Sequence, residues 1–247
     1  MTRILIVNPN TTQAVTGVVL TEARRGLDAS VALEAVTGTF GASIVSTEAE
    51  NVLAASSALD LLARHHPGFD AAILAISFDT GAFPARILLP IPVVGITEAA
   101  IHTACLLGRR FGLVVLGRVS LPLYEDLVER IGLVSRLGAI ETVSVSSAAD
   151  YLDRSIIDRG IEDAVQRLAD RGVDVAVVCG AAVAGIAHRL RDRAPILVLD
   201  GVAPAIAQAR ALAGLRLGTP RRTARLAAGT PPMGIGPELA SLLEGSS

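Results

Sequence analysis

Residues 69–100 read FDAAILAISFDTGAFPARILLPIPVVGITEAA, and the chain repeats the pattern of this stretch once. In the first copy an apolar strand at residues 71–76 follows Asp70 and ends in a small polar turn. The second copy begins at Asp174 with DVAVVCGA, and each copy leads after a nearly equal distance to a proline and a second short strand. A unit of strand, turn, helix and strand used twice predicts two similar lobes that face each other.

The rest of the chain alternates in the same way between apolar strands and amphipathic helices. Apolar runs at residues 4–7, 31–36 and 111–116 predict strands, and a weaker strand is expected at 143–145. Between these runs lie helical patterns, of which residues 153–171 form the clearest because their apolar residues recur at helical spacing. Strands that alternate with helices predict an α/β fold with parallel sheets.

The two lobes are not expected to divide at one point of the chain. We assign residues 1–97 and about 206–247 to the first lobe, and residues 98–205 to the second, because the helix after the second copy should return to the first lobe. Beyond Gly214 the chain is rich in proline and glycine and reads as a loop, before a short final helix at 238–243.

Composition excludes several classes of protein. Of the 247 residues 51% are hydrophobic, which excludes a disordered chain. The net charge is −2 and no basic block is present, so nothing indicates a nucleic-acid-binding surface. No apolar run approaches the ~18 residues of a membrane span, and we expect no secretory signal. Two cysteines are too few for a disulfide framework or a zinc site, so no metal is expected. We expect a cytoplasmic protein whose Ala-rich helices favour a homo-oligomer.

The first site candidates are the two loops that follow the repeated strands, because the carboxyl ends of parallel strands form the binding crevice of an open sheet. These loops are residues 77–81 and 180–185. A third candidate is the turn after the first strand, where free N–H groups and the helix dipole favour an anion such as a carboxylate. The alternative for that turn is ordinary helix capping by its threonines. Its polar residues are Asn8, Asn10, Thr11 and Thr12.

Three side chains are candidates for a catalytic role. Ser77 is more suited to donate a hydrogen bond to a ligand oxygen than to act as a nucleophile, because no adjacent base is evident. Asp79 could act as a base if burial raises its pKa, or it could cap a helix. Cys179 lies in an apolar strand, where a free cysteine commonly packs as a small hydrophobe. Further substrate contacts are expected from turn residues of both lobes, namely Ile76, Thr80, Gly81, Gly117, Ser120, Gly180, Ala181 and Ala182.

Three segments in the same order resemble the aspartate/glutamate/hydantoin racemase superfamily. They are ILIVNPNTT at residues 4–12, IPVVGITEAA at 91–100 and LDGVAPAI at 199–206, and the likeness extends to about Leu212. The resemblance implies two Rossmann-like lobes related by a pseudo-two-fold axis, with a small-molecule substrate bound between them. It also implies chemistry without a cofactor.

The resemblance further implies a mechanism from which this chain departs. In family racemases one cysteine from each lobe faces the substrate's α-carbon, so that one thiol removes the proton and the other returns it on the opposite face. Those cysteine positions fall here on Ile76 or Ser77 in the first lobe and on Gly180 in the second. Because Cys179 is one residue away, its side chain is expected on the other face of the strand. The chain resembles a subgroup that lacks both cysteines.

Three hypotheses about function follow. The first is a cofactor-independent isomerase of the amino-acid/hydantoin racemase type, acting on a small carboxylate or cyclic amide. The second is a lyase, decarboxylase or hydrolase on the same scaffold, with Asp79 or a bound water as the base. The third is a non-catalytic binding protein for small molecules.

Overall fold

In the part of the chain that the structure describes, eight strands form two parallel four-stranded sheets with the same internal order. The structure is a computed structural model that describes residues 1–27, 29–145, 154–217 and 232–244. The strands of the first sheet are β1 (Thr2–Asn8), β2 (Val31–Thr37), β3 (Ala71–Leu74) and β4 (Val93–Gly95), and those of the second are β5 (Phe111–Leu116), β6 (Leu137–Val143), β7 (Val175–Val178) and β8 (Leu197–Asp200). Their spatial orders are β2-β1-β3-β4 and β6-β5-β7-β8, and every pairing is parallel.

Helices cover both faces of the two sheets, as buried parallel strands require. Between the strands and after β8 the described residues include α1 (Gln13–Ala23), α2 (Glu48–His65), α3 (Ala82–Leu88), α4 (Ile96–Leu107), α5 (Leu121–Arg130), α6 (Arg154–Asp170), α7 (Ile186–Leu190), α8 (Val202–Leu215) and α9 (Pro237–Glu244). The α/β architecture with two parallel-sheet lobes predicted from the sequence is therefore confirmed.

The two copies of the sequence repeat pair their strands in the same register. In the first sheet Leu74 of β3 pairs with Gly95 of β4, and in the second Val178 of β7 pairs with Asp200 of β8. Gly95 and Asp200 are therefore equivalent positions of the two lobes. At the opposite edge the acidic residues that open the repeat bind backbone amides: Asp70 accepts a hydrogen bond from the Arg3 N–H, and Asp174 accepts two.

Two helices cross between the lobes. Helix α4 follows a strand of the first sheet, but Ala100, Ile101 and Ala104 lie in one apolar cluster with residues of β5 and β7. Helix α8 follows a strand of the second sheet and packs Ala205 and Ile206 with residues of β1 and β3. This exchange agrees with the predicted return of the chain to the first lobe, whereas the lobe boundaries themselves stay a prediction.

Two strands differ from their predicted positions. The strand expected at 143–145 is β6, which lies at Leu137–Val143 and ends where the prediction began. Its pattern was obscured because Glu141 occupies a buried position, where Arg167 and Arg171 neutralise it. Strand β3 ends at Leu74 instead of residue 76, since the chain there turns into the polar loop. Most of the loop predicted beyond Gly214 lies outside the described residues.

The described helices give no candidate for a membrane span, since none combines sufficient length with sufficient apolar character.

Candidate active site

A narrow cleft lies between the lobes at the carboxyl ends of β1, β3 and β7. Across it, a Cβ atom placed on Gly180 would be 3.9 Å from the Ser77 hydroxyl, so the loops after the repeated strands face each other. The cleft has about 320 Å³ of empty volume out to its opening, but it is narrow inside. It therefore has room for about one water, and a larger ligand requires the loops on its two sides to move apart. Its lining residues are Asn10, Val15, Ser43, Ile44, Val45, Ile76, Ser77, Ala181 and Ala182.

The turn after β1 is organised by two buried asparagines. The Asn8 side-chain amide donates to the Asn10 Oδ1 (3.0 Å) and to the Thr16 hydroxyl (3.0 Å), and Asn10 Oδ1 also accepts from the Thr12 N–H (2.9 Å). Of these residues only Asn10 reaches the cleft. The Asn10 Oδ1 is thus occupied. Its NH₂ group has no partner within the described residues, so it can donate to a ligand.

The two threonines of this turn hold a second loop over the cleft. The Thr12 hydroxyl donates to the Ser43 carbonyl (2.8 Å), and the Thr11 N–H donates to the Ala42 carbonyl (3.2 Å). Both backbone N–H groups at residues 11 and 12 are thus occupied within the protein. Thr12 is the N-cap residue of α1, as predicted, but its side chain makes no capping hydrogen bond, and the predicted anion site at this helix start loses two of its donors.

Four cleft residues were missed by the sequence reasoning. Ser43, Ile44 and Val45 belong to the polar loop between β2 and α2, and Val15 belongs to α1. The sequence marks residues 37–47 only as a Gly/Ser/Thr loop. Its position over the cleft depends on the contacts with Thr11 and Thr12, which no local pattern reveals.

Ser77 is the hydroxyl that faces the cleft from the loop after β3. It is partly exposed, and its hydroxyl has no hydrogen-bond partner within residues 1–27, 29–145, 154–217 and 232–244. Its backbone carbonyl accepts a hydrogen bond from the Thr97 hydroxyl at 2.6 Å. Ser77 is therefore held by its backbone and leaves its side chain available for a ligand.

Asp79 is buried behind the cleft and caps helix α4. Its Oδ1 accepts the Thr97 N–H (3.0 Å) and its Oδ2 accepts the Glu98 N–H (2.6 Å), the bonds that an aspartate at the N-cap would accept. Burial raises the pKa of Asp79 to about 7, although these two hydrogen bonds oppose the shift. Of the two roles predicted for Asp79, the geometry favours capping, because both carboxylate oxygens point at α4.

The neighbouring loop residues bind the first lobe and not the cleft. The Thr80 hydroxyl donates to Asn51 Oδ1 on α2. Gly81 has φ +83° and lies against Ala58 of the same helix, so a side chain there would be strained and crowded. Their predicted part in substrate binding has no support from their surroundings.

Cys179 is buried at the end of β7. Its side chain is 2% exposed, and its thiol donates a long hydrogen bond of 3.7 Å to the Val177 carbonyl. Burial, with a smaller contribution from the charge of Asp79, raises the pKa of the Cys179 thiol. A thiol that resists ionisation is a poor base. Its predicted catalytic role is therefore unsupported by its position, and the alternative of a packing residue fits the structure.

The position before Ala181 is shaped for glycine. Gly180 has φ +117° and ψ +128°, a backbone conformation that L-residues rarely adopt. A cysteine at this point of the loop would cost about 1–3 kcal/mol in backbone strain. The second lobe therefore presents backbone and the small side chains of Ala181 and Ala182 to the cleft.

The second lobe's counterpart of the asparagine turn lies apart from the cleft. Gly117 uses φ +77° to leave β5, and the buried Ser120 hydroxyl donates to the carbonyls of Leu116 (3.3 Å) and Gly117 (3.2 Å). Strand pairing makes Val115 the equivalent of Asn8. Gly117 and Ser120 do not line the cleft, so their predicted contacts with a substrate have no support. The polar side chains that line the cleft all come from the first lobe.

Helices α4 and α8 begin at equivalent positions of the two lobes, and a carboxylate binds the first N–H groups of each. The two carboxylates, however, come from positions that are not equivalent. In the second lobe Asp200 itself accepts the Val202 N–H (3.1 Å) and the Gly185 N–H (2.9 Å), whereas its equivalent in the first lobe is Gly95. A Cβ atom on Gly95 would lie 2.1 Å from the Asp79 carboxyl carbon. The Asp79 carboxylate thus fills the space that an aspartate at position 95 would use.

The cleft is lined by neutral groups. Asn10, Ser43 and Ser77 offer hydrogen bonds, and the other lining residues are aliphatic. No set of three or more His, Cys, Asp and Glu side chains capable of holding a metal occurs in the part of the chain that the structure describes. This arrangement suits recognition of an uncharged, partly apolar molecule that carries carbonyl groups.

Comparison with known proteins matches this chain to a racemase family and to several of its relatives. The family model for Asp/Glu/Hydantoin racemase matches residues 4–209. A hydantoin racemase of Paenarthrobacter aurescens is 28% identical over 221 residues, which cover 86% of this chain and 92% of that protein. The crystal structure of an allantoin racemase from Pseudomonas fluorescens is similar with a TM-score of 0.84 and 29% identity, covering 92% of this chain and 100% of the other. An allantoin racemase of Klebsiella pneumoniae shares the fold with a TM-score of 0.85 at 24% identity, covering 93% and 97%.

Proposed function

Because the chain belongs to the Asp/Glu/Hydantoin racemase family, we propose that it is a cofactor-independent isomerase of a small, uncharged cyclic amide, such as a hydantoin with an aliphatic substituent. The observation that carries the proposal is the lining of the cleft, which combines neutral hydrogen-bonding groups with aliphatic side chains. The relatives named hydantoin racemase support the choice of ligand class.

The charge of the cleft favours a cyclic amide over a carboxylate. No arginine, lysine or histidine is among the residues that line the described cleft. The N–H groups of Thr11 and Thr12, which could have bound an anion, are already engaged. Desolvating a carboxylate here without a paired cation would be costly, whereas an amide ring can exchange its hydrogen bonds with water for those of Asn10, Ser43 and Ser77.

Ser77 is assigned the role of hydrogen-bond donor to a ring carbonyl oxygen. When the hydrogen on the adjacent ring carbon leaves as a proton, negative charge develops on that oxygen, and a donor fixed in place stabilises it. The Asn10 NH₂ group is assigned to a second carbonyl of the ring. Val15, Ile44 and Val45 would surround the aliphatic substituent.

The proposed exchange does not use two opposed thiols. The family positions for cysteine hold Ile76 or Ser77 and Gly180 in this chain, Cys179 is buried with a raised pKa, and both oxygens of Asp79 bind α4. We therefore assign proton removal and return to a water molecule bound beside the ring, once the loops on the two sides of the cleft have moved apart to admit the ligand. The reaction would be slower than one with two thiolates, because water is a much weaker base.

A second candidate is a binding protein without catalysis. It is favoured by one observation, namely that the side chains around the described cleft include no ionisable group. A hydrolase would use the same water as its nucleophile, and a lyase that removes a proton would use it as a base, whereas a decarboxylase would need it to protonate the carbanion left when CO₂ departs. Self-association into a homo-oligomer and a cytoplasmic location stay predictions from the sequence.

Incubation of the protein with enantiopure 5-isopropylhydantoin in D₂O distinguishes these functions. The isomerase proposal predicts one deuterium at the ring carbon together with loss of optical purity, read by NMR and chiral chromatography and corrected for the uncatalysed reaction. Ring opening or loss of a carbon would place the protein in the hydrolase or lyase class. Binding that raises the melting temperature without exchange would favour the non-catalytic reading.

A further inference from the structure

Thr97 makes two of the hydrogen bonds that fasten the loop carrying Ser77 to the first turn of α4, and the Glu98 N–H makes a third. Thr97 donates its hydroxyl to the Ser77 carbonyl (2.6 Å) and its N–H to the Asp79 carboxylate (3.0 Å). Thr97 is 2% exposed, so the bond to Asp79 is buried and the bond to the Ser77 carbonyl is partly buried. Residues 77 and 79 are thus fixed relative to each other and to the start of the helix.

The helix that holds this loop packs against the opposite lobe. Ala100, Ile101 and Ala104 of α4 share an apolar cluster with residues of β5 and β7. The start of α4 also meets the other crossing segment, because a Cβ atom on Gly201 would lie 2.6 Å from the Ile96 carbonyl oxygen. The position of Ser77 in the cleft is therefore tied to the segment that joins the two lobes.

The equivalent tie is absent from the second lobe. Strand pairing makes Val202 the equivalent of Thr97, and valine has no hydroxyl to donate. Val202 is likewise buried at a helix start whose N–H binds a carboxylate, that of Asp200. The chain itself therefore shows that valine fits such a helix start, so the Thr97 hydroxyl is not required for capping.

We propose that Thr97 is a positioning residue of the cleft, which sets the location of the Ser77 hydroxyl through the Ser77 carbonyl and couples it to the arrangement of the lobes. The expected effect of Thr97 on ligand binding rests on the proposed function. Its structural part, the tie between α4 and residues 77–81, does not depend on the ligand. Thr97 acts through Ser77 and need not touch the bound ring.

Thr97→Val tests the inference, with Thr97→Ser as the variant that keeps the hydroxyl. Thr103→Val is the matched control, because it removes a second hydroxyl from α4, one that accepts a hydrogen bond from Gln208 (3.1 Å) instead of donating to the loop. We expect Thr97→Val to weaken binding of 5-isopropylhydantoin at least fivefold and to speed amide hydrogen exchange in residues 77–81, as loss of a buried hydrogen bond implies. Thr97→Ser should bind within about twofold of the wild type, and Thr103→Val should leave binding unchanged.

Each outcome decides one part of the inference. Equal hydantoin affinity in wild type and Thr97→Val, or an equal loss in Thr103→Val, would overturn the positioning role. If the wild type binds no hydantoin, the proposed function fails, and hydrogen exchange alone decides the tie: unchanged protection of residues 77–81 in Thr97→Val would overturn it. Denaturant unfolding of all variants separates these local effects from a general loss of stability.

Discussion

Replacing Asp79 with asparagine should abolish a large fall in stability that the wild type shows as the pH rises from about 4 to about 7.5. The carboxyl is buried between α4 and the core, and burial raises its pKa from 3.8 to about 7. The unfolded chain releases this proton near pH 4, whereas the folded protein retains it until about pH 7. The folded state is therefore favoured by protonation at low pH, and that advantage disappears as the pH passes through 7.

The expected size follows from the shift. A difference of about three pH units at ~1.4 kcal/mol per unit gives roughly 4 kcal/mol. The groups that face Asp79 work in both directions: the charge of Glu98 raises its pKa, the charge of Arg86 lowers it, and Asp79 in turn raises the pKa of Cys179. Because Asp200 also has a raised pKa, the wild type alone does not isolate Asp79, and the comparison with Asp79→Asn does.

Urea unfolding of both proteins at several pH values measures this effect. The free energy of unfolding of Asp79→Asn minus that of the wild type should rise by about 4 kcal/mol between pH 4 and pH 7.5. Asp126→Asn, at an exposed position on α5, controls for the loss of a negative charge. A difference that stays constant with pH would show that the helix N–H groups keep Asp79 ionised throughout, against this account.

Placing an aspartate at position 95 should unfold the protein unless Asp79 is removed as well. Gly95 is the N-cap residue of α4, with φ −83° and ψ +142°, so its backbone accepts an L-residue. The obstacle is the Asp79 carboxyl carbon, only 2.1 Å from a Cβ atom at this position. An aspartate at an N-cap accepts the second and third N–H groups of the helix, which here are those of Thr97 and Glu98. It would therefore replace the function of Asp79 locally.

The expected energies form a double-mutant cycle. Gly95→Asp alone should lose more than about 4 kcal/mol because two carboxylates compete for one buried space. Asp79→Gly alone, where glycine suits the φ of +50° at this residue, should lose about 2 kcal/mol with the cap. The double variant should return to within about 2 kcal/mol of the wild type, which gives a favourable coupling between the sites. Additive losses would contradict the equivalence of Asp79 and Asp200 as caps.

The sequence is sufficient for the fold because the fold depends on local apolar patterns that occur twice. Residues 71–76 and the stretch after Asp174 each combine a short apolar run with a polar turn, and the strand registers align these two copies. Strand β6 is not predicted correctly because Glu141 interrupts its apolar face, and the arginines that pair with it lie on α6 and just after its end, 26 and 30 residues along the chain.

The candidate site is less accessible to sequence reasoning, because its geometry depends on contacts between distant segments. Ser77 and Asn10 lie in the predicted loops and do line the cleft. Asp79 could not be assigned between base and cap until the position of α4 was known. Ser43 enters the site only because Thr12 holds its carbonyl, a contact across 31 residues.

The central claim, that the cleft recognises an uncharged amide ring through Ser77, is tested most directly by thermal denaturation with matched ligands. 5-Isopropylhydantoin should raise the melting temperature of the wild type, by an amount that grows with ligand concentration, whereas its ring-opened acid, N-carbamoylvaline, should not. Ser77→Ala should reduce the rise, and Ser241→Ala, an exposed position on α9, should preserve it. Stabilisation by the acid alone, or an unchanged response in Ser77→Ala, would contradict the account.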